Sequence, residues 1–218
     1  MLERVERKRV NLSKQYYRTD PMFLRNAYDT DGKWNFPIVK KQEIIIDKRI
    51  ELISVSDTSM KDTKNLYKGI HFYVDDPRFE DVYRNPERSL EKFSKYRFLL
   101  LPDFSLFNEM PLWRQIESIG KSRWCGAYWQ SHGLLVIPSI SWGLFPSYDF
   151  CFDGIEHGSI VAIGMIGCKN NKTKFLRGYF AMLDRIEPSH VICFGTPFVE
   201  MGANIIVVDY IESRKVVR

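Results

Sequence analysis

Short, wholly apolar runs that recur at helix-sized intervals constrain the fold of this chain more than any other feature. They occupy residues 98–101, 134–137, 160–163, 191–194 and 205–208. A strand that is apolar on both faces must be covered on both faces, and parallel strands connected by helices meet that requirement. The sequence therefore predicts an α/β fold with a mostly parallel sheet of repeated strand–helix units.

The segments between these runs have the pattern of helices. Apolar residues at helical spacing extend from Leu112 to Ala127, and a second helix is predicted over residues 175–186. Shorter strands are predicted upstream, at residues 44–46, 52–55 and 69–74. The five downstream strands alone suit an open twisted sheet, whereas adding the earlier ones gives an incomplete β/α barrel. The sequence leaves both arrangements open, because strand order cannot be deduced from it.

Positive charge is concentrated at the N-terminus. Residues 1–49 contain 12 Lys and Arg against 7 Asp and Glu, and the remainder contains 20 of each, so the whole net charge of +5 lies in the first segment. Such a segment is typical of proteins that contact phosphates or acidic protein surfaces, although a solvated tail has the same composition. The sequence predicts a basic, irregular arm over residues 1–42 and an α/β domain over residues 43–218.

The residues predicted to contact nucleic acid lie in this arm, with one aromatic residue in the body. They are Arg4, Arg7, Lys8, Arg9, Lys14, Arg18 and Trp129. Contacts of Lys and Arg with phosphates carry no base information, and stacking on an aromatic ring is typical of single-strand binding. Trp129 follows Trp124 and Tyr128 closely in sequence. All three rings could instead close the sheet, since aromatic side chains are mostly buried.

Composition argues against several classes of protein. The N-terminus is charged from residue 3, and no continuous apolar run reaches the ~18 residues of a membrane span. We therefore expect a cytoplasmic protein with no membrane partner. The four cysteines include no Cys-x-x-Cys pair, so neither a zinc knuckle nor a disulfide framework is expected. Whether the protein uses a cofactor is left open by the sequence. Cys125 and Cys193 are predicted to be buried as small apolar residues.

Small polar or acidic residues follow the predicted strands. In parallel α/β folds ligands bind beyond the carboxyl ends of the strands, so these residues are the candidates for an active site. The catalytic candidates are Asp103, Ser105, Ser141 and Thr196, with Asp75 and Gly164 expected on the same edge. Asp103 could act as a base or bind a divalent metal. The alternative is that these residues only cap turns and helices, because Ser, Thr and Asp are the usual capping residues.

A glycine-containing loop at residues 164–173 leads into the second predicted helix. Free backbone N–H groups, the helix dipole and two lysines would suit a phosphate. The phosphate-binding candidates are Gly164, Gly167, Lys169 and Lys172. The loop lacks the Gly-Lys-Ser/Thr run of a Walker A motif, so a surface turn with solvated lysines remains the alternative.

Four segments have a distinctive sequence. They read LLPDFSLFNEMPLWRQI, RWCGAYWQSHGLLVIPSISWG, YDFCFDGI and GSIVAIGMIGC. Together they resemble an uncharacterised bacterial family, a domain of unknown function that is frequent on phages, plasmids and integrative elements. The likeness covers roughly residues 65–210 and leaves out the basic arm. It implies a mobile-element setting and provides no catalytic residues to carry over.

Three functions fit these observations. The clustered basic charge favours an accessory protein of a phage or plasmid that binds nucleic acid through the arm on an α/β platform. The polar strand ends favour an enzyme acting on a nucleotide or phosphorylated substrate. The aromatic content of 14% favours a protein–protein module, such as an inhibitor of a host defence factor. Convergence of Asp103, Ser141 and Thr196 in one pocket would favour the enzyme.

Overall fold

A computed structural model of the protein describes residues 16–43, 49–202 and 204–217. The first described segment holds two short helices, α1 (Tyr16–Thr19) and α2 (Pro21–Leu24), and an antiparallel ribbon of β1 (Thr30–Asp31) and β2 (Phe36–Pro37). The predicted strand at 44–46 and residues 1–15 of the predicted arm lie outside the described residues.

Among the described residues, seven parallel strands form the body, and their order in space follows their order in sequence. They are β3 (Leu52–Ser54), β4 (Gly69–His71), β5 (Phe98–Leu100), β6 (Val136–Ile137), β7 (Ile160–Gly164), β8 (His190–Phe194) and β9 (Ile205–Val208). Strands β3–β6 form a four-stranded sheet and strands β7–β9 form a three-stranded sheet. The two sheets meet beyond β6, where the Ala162 N–H donates to the Pro138 carbonyl at 2.7 Å and the Ile140 N–H donates to the Ala162 carbonyl at 2.8 Å. The predicted α/β fold with a mostly parallel sheet is confirmed.

The sheet curls into an incomplete barrel. The rings of His71 on β4 and Phe194 on β8 lie 4.7 Å apart, although four strand spacings in a flat sheet would separate these strands by about 19 Å. Inward-facing side chains from opposite sides of the barrel form one buried cluster, the inner core. Its buried members are Ile50, Leu52, Phe98, Leu100, Ile137, Ile160, Ala162, Ile192, Phe194, Ile206 and Val208. Of the two arrangements that the sequence left open, the barrel is the one formed.

The barrel has a seam between β9 and β3. No ladder joins these two strands in the part of the chain that the structure describes. A cavity of about 330 Å³ opens there, lined by Leu52 and Val208 among others. The C-terminal segment closes part of the gap, because the Lys68 ammonium donates to the Lys215 carbonyl at 2.8 Å.

Helices cover the outer face of the strands. The principal ones are α5 (Leu112–Ser131) and α6 (Lys172–Ile186), and shorter ones are α3 (Asp81–Arg84), α4 (Glu87–Phe93) and α7 (Tyr210–Ser213). Single 3-10 turns span Val55–Asp57, Asp76–Arg78, Phe145–Asp149, Cys168–Asn171 and Val199–Met201. Cys125 and Cys193 are buried as predicted.

The segment that precedes the barrel is tied to it through Gln42. Its side-chain amide donates to the Val136 carbonyl at 2.8 Å, and its oxygen accepts from the Ile160 N–H at 2.9 Å. Gln42 therefore bridges β6 and β7, where the two sheets meet. The division of the chain at residues 42 and 43 stays a prediction.

In the described residues, no helix is both long and apolar enough to cross a membrane. The cytoplasmic location stays a prediction.

Candidate active site at the carboxyl ends of the strands

A cavity of about 570 Å³ lies at the carboxyl ends of β4, β5, β6 and β7. Parallel strands end on the same side of a sheet, so the loops that follow them meet there. Five residues that the sequence placed at strand ends line this cavity: Asp75, Asp103, Ser105, Ser141 and Gly164. A volume of this size is within the range of small-molecule sites.

Asp103 follows β5 and is half-buried against the cavity. Burial raises the pKa of its carboxyl group to about 6, and the negative charge of Asp76 acts in the same direction. A hydrogen bond from the Ser141 hydroxyl to the carboxylate partly offsets this effect. Asp103 therefore changes charge close to neutral pH, as a group that gives and takes protons must.

Ser105 has a positioning role. Its hydroxyl donates to Asp76 Oδ1 at 2.8 Å, and its N–H donates to the two Asp76 carboxylate oxygens at 3.1 and 3.2 Å. The Ser118 hydroxyl also donates to the Ser105 carbonyl at 2.9 Å. These bonds fix the loop after β5 to the 3-10 turn after β4 and to α5. The Ser105 hydroxyl therefore uses its proton in the bond to Asp76, as a residue that caps a loop does.

Tyr73 carries a hydroxyl group that is buried without a hydrogen-bond partner among the described residues. The ring stacks on Phe194, with centroids 4.9 Å apart. It also lies so close to Gly164 that a Cβ added there would be 3.1 Å from it. Burial and the charge of Asp103 raise the pKa of Tyr73, while the Ser139 hydroxyl beside it lowers the pKa. The two hydroxyls do not meet hydrogen-bond geometry, and both are buried without a partner among the described residues. Tyr73 is therefore a neutral hydrogen-bond donor in the cavity.

His71 stands behind Tyr73 and is not a proton donor at neutral pH. Its Nδ1 accepts the Tyr73 backbone N–H at 3.2 Å. Burial lowers the pKa of the imidazole to about 4. The neutral ring thus supports the turn that presents Tyr73 to the cavity.

One wall of the cavity is aromatic. Trp142 follows β6 and its ring lies 5.0 Å from that of Phe175 on α6. The helix comes so close that a Cβ added at Gly178 would lie 2.1 Å from the indole. At the rim, Phe107 and Ile166 are each 57% exposed. Ligand sites commonly combine such apolar walls with a few polar groups.

The glycine loop contributes its glycines to the cavity but not its two predicted lysines. Gly164 and Gly167 line the cavity, whereas Lys169 is exposed elsewhere. The Lys172 ammonium lies 2.7 Å from a Glu200 carboxylate oxygen. Lys174, on the first turn of α6, is the basic residue that lines the cavity among the described residues.

Thr196 does not join the other candidates. It follows β8, is exposed, and is not part of the lining of the cavity. The cavity is centred on β4–β7, so the loop after β8 lies beyond its edge. Cys168, in contrast, lines the cavity, and its thiol donates weakly to the Gly164 carbonyl at 3.7 Å.

A metal site built on Asp103 with Asp75 or Asp76 finds no support in the described residues, which hold no cluster of three or more His, Cys, Asp or Glu side chains suited to a metal ion. Three carboxyl groups, those of Asp75, Asp103 and Glu109, and a buried tyrosine instead give the cavity acid–base and hydrogen-bonding capacity.

The family model described as "Domain of unknown function (DUF4417)" matches residues 28–211. The chain belongs to this family. It is 43% identical over 130 residues to the Gene 1 protein of Mycobacterium phage L5, covering 58% of this chain and 57% of that protein. It is 42% identical over 130 residues to the Gene 1 protein of Mycobacterium phage D29, covering 58% and 48%. The chain thus spans about half the length of these curated relatives. No solved structure matches it.

These findings confirm the resemblance to an uncharacterised family found on phages. Every residue that lines the cavity lies within the span matched to DUF4417. Of the predicted nucleic-acid contacts, Arg4, Arg7, Lys8, Arg9 and Lys14 lie outside the described residues and, with the exposed Arg18, precede that span.

The prediction that Trp129 could stack on a base is wrong. The side chain is 0% exposed and stacks on Phe72, with centroids 5.5 Å apart. Trp124 and Tyr128 are also buried. The alternative, that this aromatic segment of α5 closes the sheet, is the one that the structure shows.

Proposed function

We propose that the cavity is the active site of an enzyme that acts on a small molecule of about nucleotide size, with Asp103 as the proton-transferring group. The supporting observation is the pairing of two groups at one cavity. Asp103 has a pKa of about 6, and the nearby Tyr73 hydroxyl is buried without a partner. Titratable groups with strongly shifted pKa values in a cleft are concentrated at functional sites.

The neighbouring groups suggest a division of roles. Above pH 6 the Asp103 carboxylate is the base, and the Ser141 hydroxyl orients it through a hydrogen bond. The Tyr73 hydroxyl forms a hydrogen bond with the substrate group that exchanges its proton with Asp103, since a phenol can both donate and accept. Ser105 and Asp76 keep the loop after β5 in place.

A ligand screen with matched variants tests this proposal. A ligand at a hundred times its Kd stabilises the folded state by about 2.7 kcal/mol, which raises the melting temperature of a chain of this size by roughly 5–11 °C. We expect Asp103→Asn and Tyr73→Phe to fold but to lose the response to ligands that stabilise the wild type. Asp184→Asn, an exposed position on α6, should retain it.

Turnover is checked by incubating each stabilising ligand with the wild type and following its mass and concentration. Conversion that persists unchanged in Asp103→Asn would refute the role of Asp103. Stabilisation that is equal in all variants would remove the cavity as the site.

Binding of nucleic acid through the N-terminal arm is a second candidate function. It is supported by the concentration of the net positive charge in residues 1–49. Within the arm, Trp34 is 42% exposed and the Lys33 ammonium lies 5.2 Å from its ring centroid, which offers a surface for stacking and charge together.

The test is a salt titration of binding to duplex and single-stranded oligonucleotides, with the full chain and with residues 1–18 deleted. We expect affinity to fall steeply as salt rises, because each neutralised phosphate releases counterions. We also expect the deletion to weaken binding. Absence of binding at low salt would refute this function and favour a protein partner, which could contact exposed rings such as those of Phe107, Trp113 and Phe145.

A further inference from the structure

The charges around the cavity are unequal. Three carboxyl-bearing residues line it, Asp75, Asp103 and Glu109, and Asp76 lies directly behind Ser105. Against them stands one lysine among the described lining residues, Lys174. A concave site lined by one sign of charge concentrates ions of the opposite sign. The cavity is therefore matched to a positively charged ligand and repels a phosphate.

The walls have the chemistry that binds an organic cation. Tyr73, Phe104, Phe107 and Trp142 all line the cavity. The face of an aromatic ring attracts an ammonium or guanidinium group within about 6 Å, most strongly where water is excluded. The same rings give the apolar part of a ligand a surface to pack on.

A separate observation points to a ligand at the floor of the cavity. The Tyr73 hydroxyl is buried and has no partner among the described residues, and the residue lines the cavity. Buried polar groups in folded proteins are nearly always hydrogen-bonded, so an unpartnered one at a cavity calls for a group that completes it. A phenolic oxygen can accept a hydrogen bond from an N–H donor as well as donate one.

We propose that this cavity binds an organic cation, a primary amine or amidinium carried on a flat apolar body, with the cation between Asp103 and the Tyr73 hydroxyl and the body against Trp142. This assignment rests on the proposed active site and names its ligand class. The N–H groups of the cation donate to the Asp103 carboxylate and to the Tyr73 hydroxyl. The exposed side chains of Phe107 and Ile166 at the rim cover the apolar end of the ligand.

The pH dependence of binding separates a cation from an anion. Asp103 faces Asp76, Cys168 and Tyr73, with Asp75, Glu109 and Lys174 around the same cavity and His71 behind it. Between pH 5 and 7.5 the shifted members of this set other than Asp103 keep their charge state. The pKa values of Tyr73 and Cys168 are raised, and that of His71 is lowered to about 4. Asp103 becomes ionised in this interval, so binding of a cation should strengthen and binding of an anion should weaken.

The experiment uses ligands that share one ring and differ in charge. Tryptamine, tryptophol and indole-3-acetate carry positive, zero and negative charge on the same indole, benzamidine is a second cation, and adenosine monophosphate represents phosphates. Calorimetric titration of the full chain at pH 5 and pH 7.5 gives each Kd. We expect the cations to bind roughly tenfold tighter at pH 7.5, the factor by which ionised Asp103 increases for a pKa near 6, and tryptamine to bind more tightly than tryptophol.

A second measurement locates the binding site. Cys168 is the cysteine that is half-buried at the cavity, whereas Cys125, Cys151 and Cys193 are buried. Bound tryptamine should slow alkylation of Cys168 in the folded protein. In Asp103→Asn the affinity for tryptamine should fall about tenfold at pH 7.5 and lose its pH dependence, while Asp184→Asn should behave as the wild type.

Two outcomes overturn the proposal in different ways. If adenosine monophosphate or indole-3-acetate binds more tightly than the cations and still protects Cys168, the cavity is a ligand site of the opposite charge class. The active-site proposal then stands and the cation assignment fails. If neither cation binds and no ligand of the series protects Cys168 or depends on Asp103, both the assignment and the proposed active site fail.

Discussion

Replacing Asp103 by Asn should stabilise the protein at neutral pH and have little effect in acid. The carboxyl group has a folded-state pKa of about 6 against an ordinary value of 3.8, so the folded state holds the proton more tightly than the unfolded chain. Below pH 3.8 both states are protonated and the group costs nothing. Between pH 3.8 and 6 the unfolded chain releases the proton while the folded protein still holds it, so the free energy of unfolding falls as the pH rises. Above pH 6 both states are ionised and the loss is complete.

The size of the effect follows from the two pKa values. From this difference, we expect Asp103→Asn to raise the free energy of unfolding by about 3 kcal/mol at pH 7.5 and by about 1.5 kcal/mol at pH 5. Asn has nearly the shape of Asp and its oxygen can still accept the hydrogen bond from Ser141, so the substitution removes the charge with little change in packing. Urea denaturation of the wild type and Asp103→Asn at both pH values measures these differences. Asp184→Asn serves as the exposed control.

The reasoning would be refuted by a stability gain that is the same at both pH values, or by a loss at pH 7.5. Equal gains would mean that Asn improves packing and that the charge is not the cause. A loss would mean that the carboxylate is stabilised by partners that outweigh its burial.

Three further substitutions test the fold around the site, each by chemical denaturation. Trp129→Ala should lower the free energy of unfolding by about 3–5 kcal/mol, whereas the half-exposed Trp34→Ala should cost far less. Gly178→Ala should destabilise the protein by about 1–3 kcal/mol and shift the Trp142 indole N–H resonance, because the new Cβ would lie 2.1 Å from that ring. Arg123→Met should cost about 3 kcal/mol or more, since the buried guanidinium donates to the Asp153 and Cys151 carbonyls at 3.0 and 2.7 Å.

The strands could be predicted from the sequence because their burial on both faces leaves a direct signal. Residues 205–208 are predicted and observed at the same bounds. The closure of the barrel could not be predicted, because it depends on which strands are neighbours in space. The contact of His71 with Phe194 joins residues that are far apart in sequence, and no local pattern specifies it.

Tyr73 was missed as a site residue because the apolar run at 69–74 predicts a strand along its whole length. The observed strand ends at His71, and the Val74 N–H donates to the Phe72 carbonyl at 2.8 Å, which turns the chain at Tyr73. The alternation of side chains between the two faces of a strand could have identified Tyr73. Ile70 and Phe72 pack in the buried cluster between the strands and the helices outside them, so Gly69, His71 and Tyr73, which alternate with them, face the interior of the barrel.

Thr196 shows the limit of reasoning from strand ends alone. The rule that ligands sit beyond the carboxyl ends of parallel strands identifies an edge of the sheet, and it does not say which loops on that edge converge. In the part of the chain that the structure describes, seven parallel strands end at this edge of the barrel, and the loops after β4, β5, β6 and β7 line the cavity. The loop after β8 begins at Gly195, whose φ of +109° is accessible mainly to glycine.

The polar residues at the strand ends divide between the two roles that the sequence allowed. Asp76 and Ser105 bond to each other and close a loop, as caps do. Tyr73 is left with a buried hydroxyl that has no partner among the described residues, and Asp103 holds a carboxylate whose ionisation lowers stability at neutral pH. Capping explains Asp76 and Ser105, because the hydrogen bonds of a cap stabilise the fold. It does not explain Tyr73 and Asp103, which do not stabilise the fold in this way. Groups that a fold keeps at a cost to its own stability are the ones expected where a site has to bind or react.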